Sequence, residues 1–168
     1  MFYKNPRIRG FEIVTGYEDI ATLPVRGTKG SAGYDFYTTR NYDTYLESGE
    51  SYVFDTGIKA YMPQGEVLLI YIRSSLGIKK NLILSNCVPV IDSDYYNNKD
   101  NEGHILLSVT NIGNKTQVIP PKARIAQGIF TKYFTVDGDN VDTERVGGIG
   151  STEVNYLSEE WIKWKILY

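Results

Sequence analysis

The sequence predicts an all-β fold, a sandwich or jelly roll, and three observations carry that expectation. Clusters of β-branched and aromatic residues of strand length recur along most of the chain, turn-forming residues separate them, and only two short stretches look helical. In order, the strand-sized clusters are Phe11-Glu12-Ile13-Val14, Tyr34-Asp35-Phe36-Tyr37, Tyr52-Val53-Phe54, Gly57-Ile58-Lys59-Ala60-Tyr61, Val67 to Ile72, Leu82-Ile83-Leu84, Ile105 to Val109, Gln117-Val118-Ile119 and Ile125 to Phe130. Glu47-Ser48-Gly49-Glu50, Met62-Pro63-Gln64-Gly65, Asn111-Ile112-Gly113-Asn114 and Pro120-Pro121-Lys122 supply turn chemistry between them. One helical stretch follows Arg73, where Ser74-Ser75 reads as the cap of a short helix through Leu76 to Lys80, leaving first-turn amides for an anion. The other is Leu157 to Ile162, with a serine cap and two glutamates in its first turn.

Length and charge narrow the function. A chain of 168 residues, 42% of them hydrophobic, suits one domain that buries roughly 70% of its unfolded surface. The net charge of -2 gives no basic footprint, so direct nucleic-acid binding is not expected. One cysteine, Cys87, cannot close a disulfide within the chain, and Met1 to Arg9 is charged rather than a secretion signal. No apolar run reaches the roughly 18 residues of a membrane span, so a soluble, cytoplasmic protein is expected. The turn Asp137-Gly138-Asp139-Asn140 reads as a linker, dividing a core over residues 1–136 from a flexible C-terminal arm over 137–168.

The chemistry concentrates in Ser85 to Tyr96. Asn86 stands in an apolar run, Pro89 interrupts strand pairing, and Val90-Ile91 leads into Asp92, Ser93 and Asp94, which reads as two short strands of a hairpin with a pocket between them. Asp92, ending an apolar strand, would be a carboxylate on a partly dry wall, able to hold a water and take its proton. By themselves these acidic residues equally fit a turn whose side chains bond their own backbone. His104 reads as an ordinary strand residue, and with Cys87 it makes no zinc ligand set.

Five ordered segments add to this reading. Ser31-Ala32-Gly33-Tyr34-Asp35, Arg73-Ser74-Ser75-Leu76-Gly77, Asn86 through Tyr95, Arg124-Ile125-Ala126-Gln127 and Arg145 through Thr152 resemble the five motifs of the trimeric dUTP diphosphatase family, over roughly residues 8 to 153. The resemblance implies a jelly-roll subunit in a homotrimer whose active sites draw motifs from different subunits. It implies the reaction of dUTP with water to give dUMP and pyrophosphate, with Mg²⁺ carried mainly by the triphosphate.

Residue roles follow from the same resemblance. Asp92 would deprotonate the attacking water. Tyr95 would pack on the deoxyribose and exclude a 2′-hydroxyl by collision. Asn86 would read the uracil edge, with Ile91 beside it in the substrate-binding set. Arg73, Ser74, Ser75 and Gln127 would hold phosphates, while Arg124 would support the site through a salt bridge. Asp35 would hold a water on the magnesium ion. Gly148, Ile149, Gly150, Ser151 and Thr152 would close over the nucleotide as a glycine-rich arm, with Arg145 on the γ-phosphate.

Departures from the family pattern are Pro89 for a glycine, Tyr96 and the inserted polar run Asn97 to Glu102, Ile149 for the aromatic that stacks on uracil, a spacing one residue shorter between Arg145 and Gly147, and Glu153 for the last glycine. The tail with Trp161 and Trp164 leaves room for a protein partner. Two other functions fit this scaffold: a dCTP deaminase, which shares the fold and an Arg-Ser-Ser segment, and a noncatalytic regulator that binds another protein.

Overall fold

A computed structural model describes residues 7–149. Twelve strands form among them: β1 (Gly10–Ile13), β2 (Val25–Arg26), β3 (Tyr34–Tyr37), β4 (Thr44–Leu46), β5 (Ser51–Asp55), β6 (Ile58–Tyr61), β7 (Glu66–Ile72), β8 (Leu82–Leu84), β9 (Val90–Asp92), β10 (Leu106–Asn111), β11 (Gln117–Ile119) and β12 (Arg124–Lys132). One seven-residue helix, α1 (Ser74–Lys80), and a 3-10 turn at Ser93–Tyr95 complete the elements. The fold is the expected all-β jelly roll with a single short helix after Arg73. The second helical stretch, Leu157 to Ile162, lies outside the described residues.

Strand pairing sends the chain back and forth between sheets. Five strands pair in the order β2-β3-β12-β7-β9, three as β5-β10-β8, and two pairs, β1-β6 and β4-β11, stand beside them. All these pairings are antiparallel. After β7 the chain passes through α1 into the three-stranded sheet as β8, then returns to pair β9 with the opposite edge of β7. The hairpin expected over Ser85 to Tyr96 is therefore corrected: residues 85–88 form a turn, β9 is the one strand in that stretch and pairs with β7, while β8, which precedes the turn, pairs with β10 in the other sheet. The carbonyl of Pro89 accepts from Ile70 N–H at 3.1 Å, so the proline joins the sheet by its acceptor alone.

Alternation along the strands builds one core. In β10 every second residue is buried, which puts Leu107 and Val109 inside and Ser108 and Thr110 on the other face. Phe36, Leu68, Ile70 and Ile125 from the five-stranded sheet meet Phe54, Leu82, Leu84 and Leu107 from the three-stranded one. Gly128 permits the close approach within β12, because a Cβ there would lie 2.7 Å from Phe36 and 2.9 Å from Leu68. Glu66 is buried at one end of β7, and Arg9 satisfies it in a two-bond clasp at 2.7 and 2.6 Å, which holds its carboxyl below the usual carboxylate range.

His104 is not a strand residue; it lies buried just before β10. Its Nε2 accepts from Gly57 N–H at 3.0 Å and its ring packs on Tyr17 with centroids 4.8 Å apart. Burial lowers its pKa, opposed in part by the carboxylates of Asp55 and Glu102. The folded protein thus binds a proton on His104 less readily than the unfolded chain, so stability rises with pH across the gap between the two values. Full stabilisation is expected above about pH 7.5, with loss as pH falls below the unfolded value of about 6.5. His104 is the sole histidine, so thermal midpoints between about pH 7.5 and 5.5 report on it, and should fall on acidification in wild type but stay level in His104→Gln. A flat wild-type profile would contradict this account.

Candidate active site

Two clusters of the sequence-predicted residues form, at different places on the five-stranded sheet. The first gathers around Asp35 on β3. Its carboxylate is buried and takes an ion pair on each oxygen, Arg73 Nε at 3.2 Å and Arg124 at 3.1 Å. The salt bridge expected of Arg124 is thus made, and it is made to Asp35. Gln127 stands opposite Asp35 in the β3-β12 register, and its side chain fills the space that a Cβ on Gly33 would claim, at 2.7 Å. Gly33 is therefore what lets the first and fourth motifs touch.

Ser74 and Ser75 sit beside this cluster but do not cap the helix as expected. Arg73 is the N-cap residue, extended at φ −67° and ψ 137°, with no side-chain cap bond, and the serines form the exposed first turn. Both serines are exposed next to Arg73, whose carbonyl accepts from the amides of Leu76 and Gly77 at 2.9 and 3.0 Å.

The second cluster surrounds Asp92 at the end of β9. Asn86, Ile91, Asp92 and Tyr95 line a pocket of about 290 Å³, together with Leu106, Arg145 and Ile149. Tyr95 is buried, and its hydroxyl donates to the carbonyl of His104 at 2.9 Å, which fixes the ring as a wall. Asp92 does not occupy the partly dry wall expected for it, since its side chain is 48% exposed. Beside it opens a larger cleft of about 710 Å³, between the Asp92–Asp94 turn and residues 141–145. That cleft is the trough between arm and core, and the smaller pocket lies on its Tyr95 side.

Arg145 bridges the two spaces. It pairs with Asp92 at 2.9 Å and with Asp94 at 3.0 Å, and its guanidinium lies 5.6 Å from the centre of the Tyr95 ring. Gly147 and Gly148 are buried where the arm meets the core, and Ile149 is 73% exposed at the pocket mouth. Gly150, Ser151 and Thr152 lie outside the described residues. Sequence reasoning missed Asp94 and Asp100 as partners of the arm: Asp100 accepts from Gly148 N–H at 2.8 Å. The inserted acidic and amide residues after Tyr95 were the available signal.

The two clusters are far apart. Register places Asp35 level with Tyr71 and Asp92 level with Val67, three strands away. Four residues along a strand and three strand spacings across the sheet amount to roughly 20 Å. Among the described residues no group of three or more His, Cys, Asp or Glu side chains is arranged to hold a metal ion, and no helix is long and apolar enough to cross a membrane.

An all-β jelly roll that carries a pocket beside a carboxylate, and a separate arginine and helix-start cluster for anions, has the parts of a nucleotide-binding subunit. The comparisons with known proteins make this specific. The dUTPase family model matches residues 19–153. A deoxyuridine 5'-triphosphate nucleotidohydrolase of Lactococcus lactis is 46% identical over 149 residues, covering 87% of this chain and 98% of that protein. The crystal structure of a dUTPase from Streptococcus mutans superposes with a TM-score of 0.69 at 44% identity, covering 77% of this chain and 99% of the other. A dUTPase from phage phi11 of S. aureus, described for its species-specific insert, shares the fold with a TM-score of 0.65 at 20% identity, covering 80% of this chain and 96% of the other. The chain belongs to the dUTPase family.

Proposed function

We propose that the protein hydrolyses dUTP to dUMP and pyrophosphate. The observation that carries this reading is the pocket in which Asn86, Tyr95 and the carboxylate of Asp92 converge, in a chain of this family. Uracil fits the pocket against the Asn86 amide, which offers both a donor and an acceptor. The deoxyribose lies on the Tyr95 ring, and Asp92 takes a proton from the water that attacks the α-phosphorus. The new P–O bond forms as the bond from the α-phosphorus to its bridging oxygen breaks, and pyrophosphate leaves.

The roughly 20 Å between the clusters supports a homotrimeric assembly in which Arg73, Ser74, Ser75 and Gln127 of one subunit grip the phosphates of a nucleotide seated in another's pocket. Asp35 is suited to Mg²⁺ at second hand. Both of its oxygens already accept from arginines, yet a carboxylate has about four lone-pair sites, so room remains for a metal-bound water and not for direct ligation. When bound with the triphosphate, Mg²⁺ neutralises charge and leaves the chain to position the reactants.

Arg145 would leave Asp92 when nucleotide binds. The carboxylates it pairs with, Asp92 and Asp94, are each about half exposed, which weakens their hold on it, whereas each charge-assisted bond to a phosphate oxygen is worth about 1.5–3 kcal/mol. The exchange therefore favours the γ-phosphate, and it frees the base at the moment that substrate is present. The core over residues 1–136 and the arm beyond it would then act as scaffold and cover.

Pyrophosphate release with Mg²⁺ from dUTP, dCTP, dTTP and UTP in parallel tests the reaction, with release from dUTP alone expected. Ammonia from dCTP without pyrophosphate would move the reading to a deaminase. Asp92→Asn should abolish turnover while nucleotide still binds, because the amide cannot take a proton; a near-normal rate would remove Asp92 as the base. Tyr95→Ala should let UTP compete, and an unchanged dUTP-to-UTP ratio of kcat/KM would defeat the steric account.

A further inference from the structure

Tyr96 and the inserted run Asn97 to Glu102 interrupt the family pattern directly after Tyr95, and the run's own side chains give it a fixed shape. Both ends are held by Lys59 on β6, whose ammonium donates to Asn97 Oδ1 at 2.8 Å and to Glu102 at 3.0 Å. Thr15 adds a second anchor to Glu102 at 3.1 Å. Inside the loop, buried Asn98 donates to the Tyr95 carbonyl at 2.9 Å and to Asn101 Oδ1 at 2.8 Å, while its own oxygen accepts from the amides of Asp100 and Asn101. Asn97 and Glu102 turn the backbone with φ of 56° and 59°, and Gly103 follows at 83°, where a Cβ would meet the Tyr95 carbonyl at 2.6 Å. A loop so bonded is not a flexible tip.

Two side chains at its apex reach the functional elements. Asn101 Nδ2 donates to the Tyr95 hydroxyl at 2.9 Å, the same hydroxyl that donates to the His104 carbonyl. Asp100 Oδ2 accepts from Gly148 N–H at 2.8 Å, and a Cβ at position 148 would lie 3.4 Å from the Asn101 amide group. The ring that borders the sugar and the arm that covers the nucleotide thus rest on adjacent residues.

We propose that this loop is a clasp for the reaction, in which Asn101 is a positioning residue that sets the Tyr95 wall and Asp100 docks the glycine-rich arm before nucleotide arrives. The inference rests on the diphosphatase reading for the meaning of the Tyr95 wall. It assigns the insertion a part in substrate selection: a tyrosine held at its hydroxyl from two sides cannot swing away to admit a 2′-hydroxyl. It also reduces the ordering that the arm must undergo on binding, because Gly148 is already seated.

The test uses the full-length enzyme and two readouts. The first is the ratio of kcat/KM for dUTP to that for UTP. Asn101→Ala should lower it roughly five-fold or more, the equivalent of losing one buried hydrogen bond, and Tyr95→Phe, which removes that contact together with the bond to the His104 carbonyl, should lower it at least as far. The double variant should fall no further than Tyr95→Phe alone, because the Asn101 contact is already absent there. The second readout is the rate of trypsin cleavage after Arg145 without nucleotide, followed by mass spectrometry. Asp100→Ala should be cut several-fold faster than wild type, while Asp100→Asn, which keeps an oxygen for Gly148, should remain protected. An unchanged ratio in folded Asn101→Ala overturns the positioning role whatever Tyr95→Phe does, and equal cleavage of wild type and Asp100→Ala overturns the docking role. A wild-type enzyme that releases no pyrophosphate from dUTP overturns the diphosphatase reading instead, and the trypsin comparison still decides the clasp.

Discussion

β12 pairs with β3 on one side and β7 on the other, and the register of those two ladders determines where every candidate site residue lies. Opposite Gln127 stand Asp35 and Tyr71, which brings the Asp35–Arg73–Arg124 cluster to one end of the sheet. β9 then adds to the far edge of β7 with Asp92 level with Val67, toward the other end. A slip of one residue in either ladder would turn Phe36 and Leu68 away from the core, so the apolar packing that stabilises the fold also enforces the separation of the clusters. Gly128 is part of the same constraint, since any side chain there would push Phe36 and Leu68 apart.

Separation gives the cationic and the carboxylate halves different electrostatic tasks. At the Asp35 end a buried carboxylate is neutralised by two arginines, so Arg73 keeps a defined direction for its remaining donors while its charge is partly spent. At the Asp92 end the acids outnumber the single arginine, and Arg145 divides itself between Asp92 and Asp94. Each arrangement is incomplete for a triphosphate by itself. Joined across a subunit boundary, they would provide donors for the phosphates on one side and a proton acceptor on the other, with little reorganisation of either.

Much of the fold was legible because strand-length apolar clusters and turn residues alternate so regularly; each of the nine clusters from Phe11 to Phe130 contains a strand. β4 escaped notice because Thr44-Tyr45-Leu46 is short and presents an exposed tyrosine between its two buried residues. The two-strand hairpin expected over Ser85 to Tyr96 does not form, because residues 85–88 turn the chain from one sheet to the other and β9 alone extends there, paired with β7. The helix begins at Ser74 rather than at the expected Leu76, because Arg73 takes the extended cap conformation without a side-chain bond. The site residues themselves were readable as ordered motifs. Their distances were not, since motif order along a chain carries no information on how a sheet spreads them. The Asn97 to Glu102 run showed only turn chemistry in sequence; its contact from Asp100 to Gly148 and its anchoring by Lys59 from β6 join residues distant along the chain and so left no local signal.

If a working site combines the Asp92 pocket of one subunit with the Arg73 cluster of another, subunits defective in one half should rescue subunits defective in the other. Asp92→Asn and Arg73→Ala proteins, each inactive alone, would be unfolded together, refolded in equal amounts and assayed for pyrophosphate release from dUTP. Random assembly of shared sites predicts recovery of about a quarter of wild-type activity, since half the pockets and half the phosphate clusters are intact and combine independently. A mixture as inactive as its components, with mixed oligomers demonstrated, would mean that each site is built within one chain.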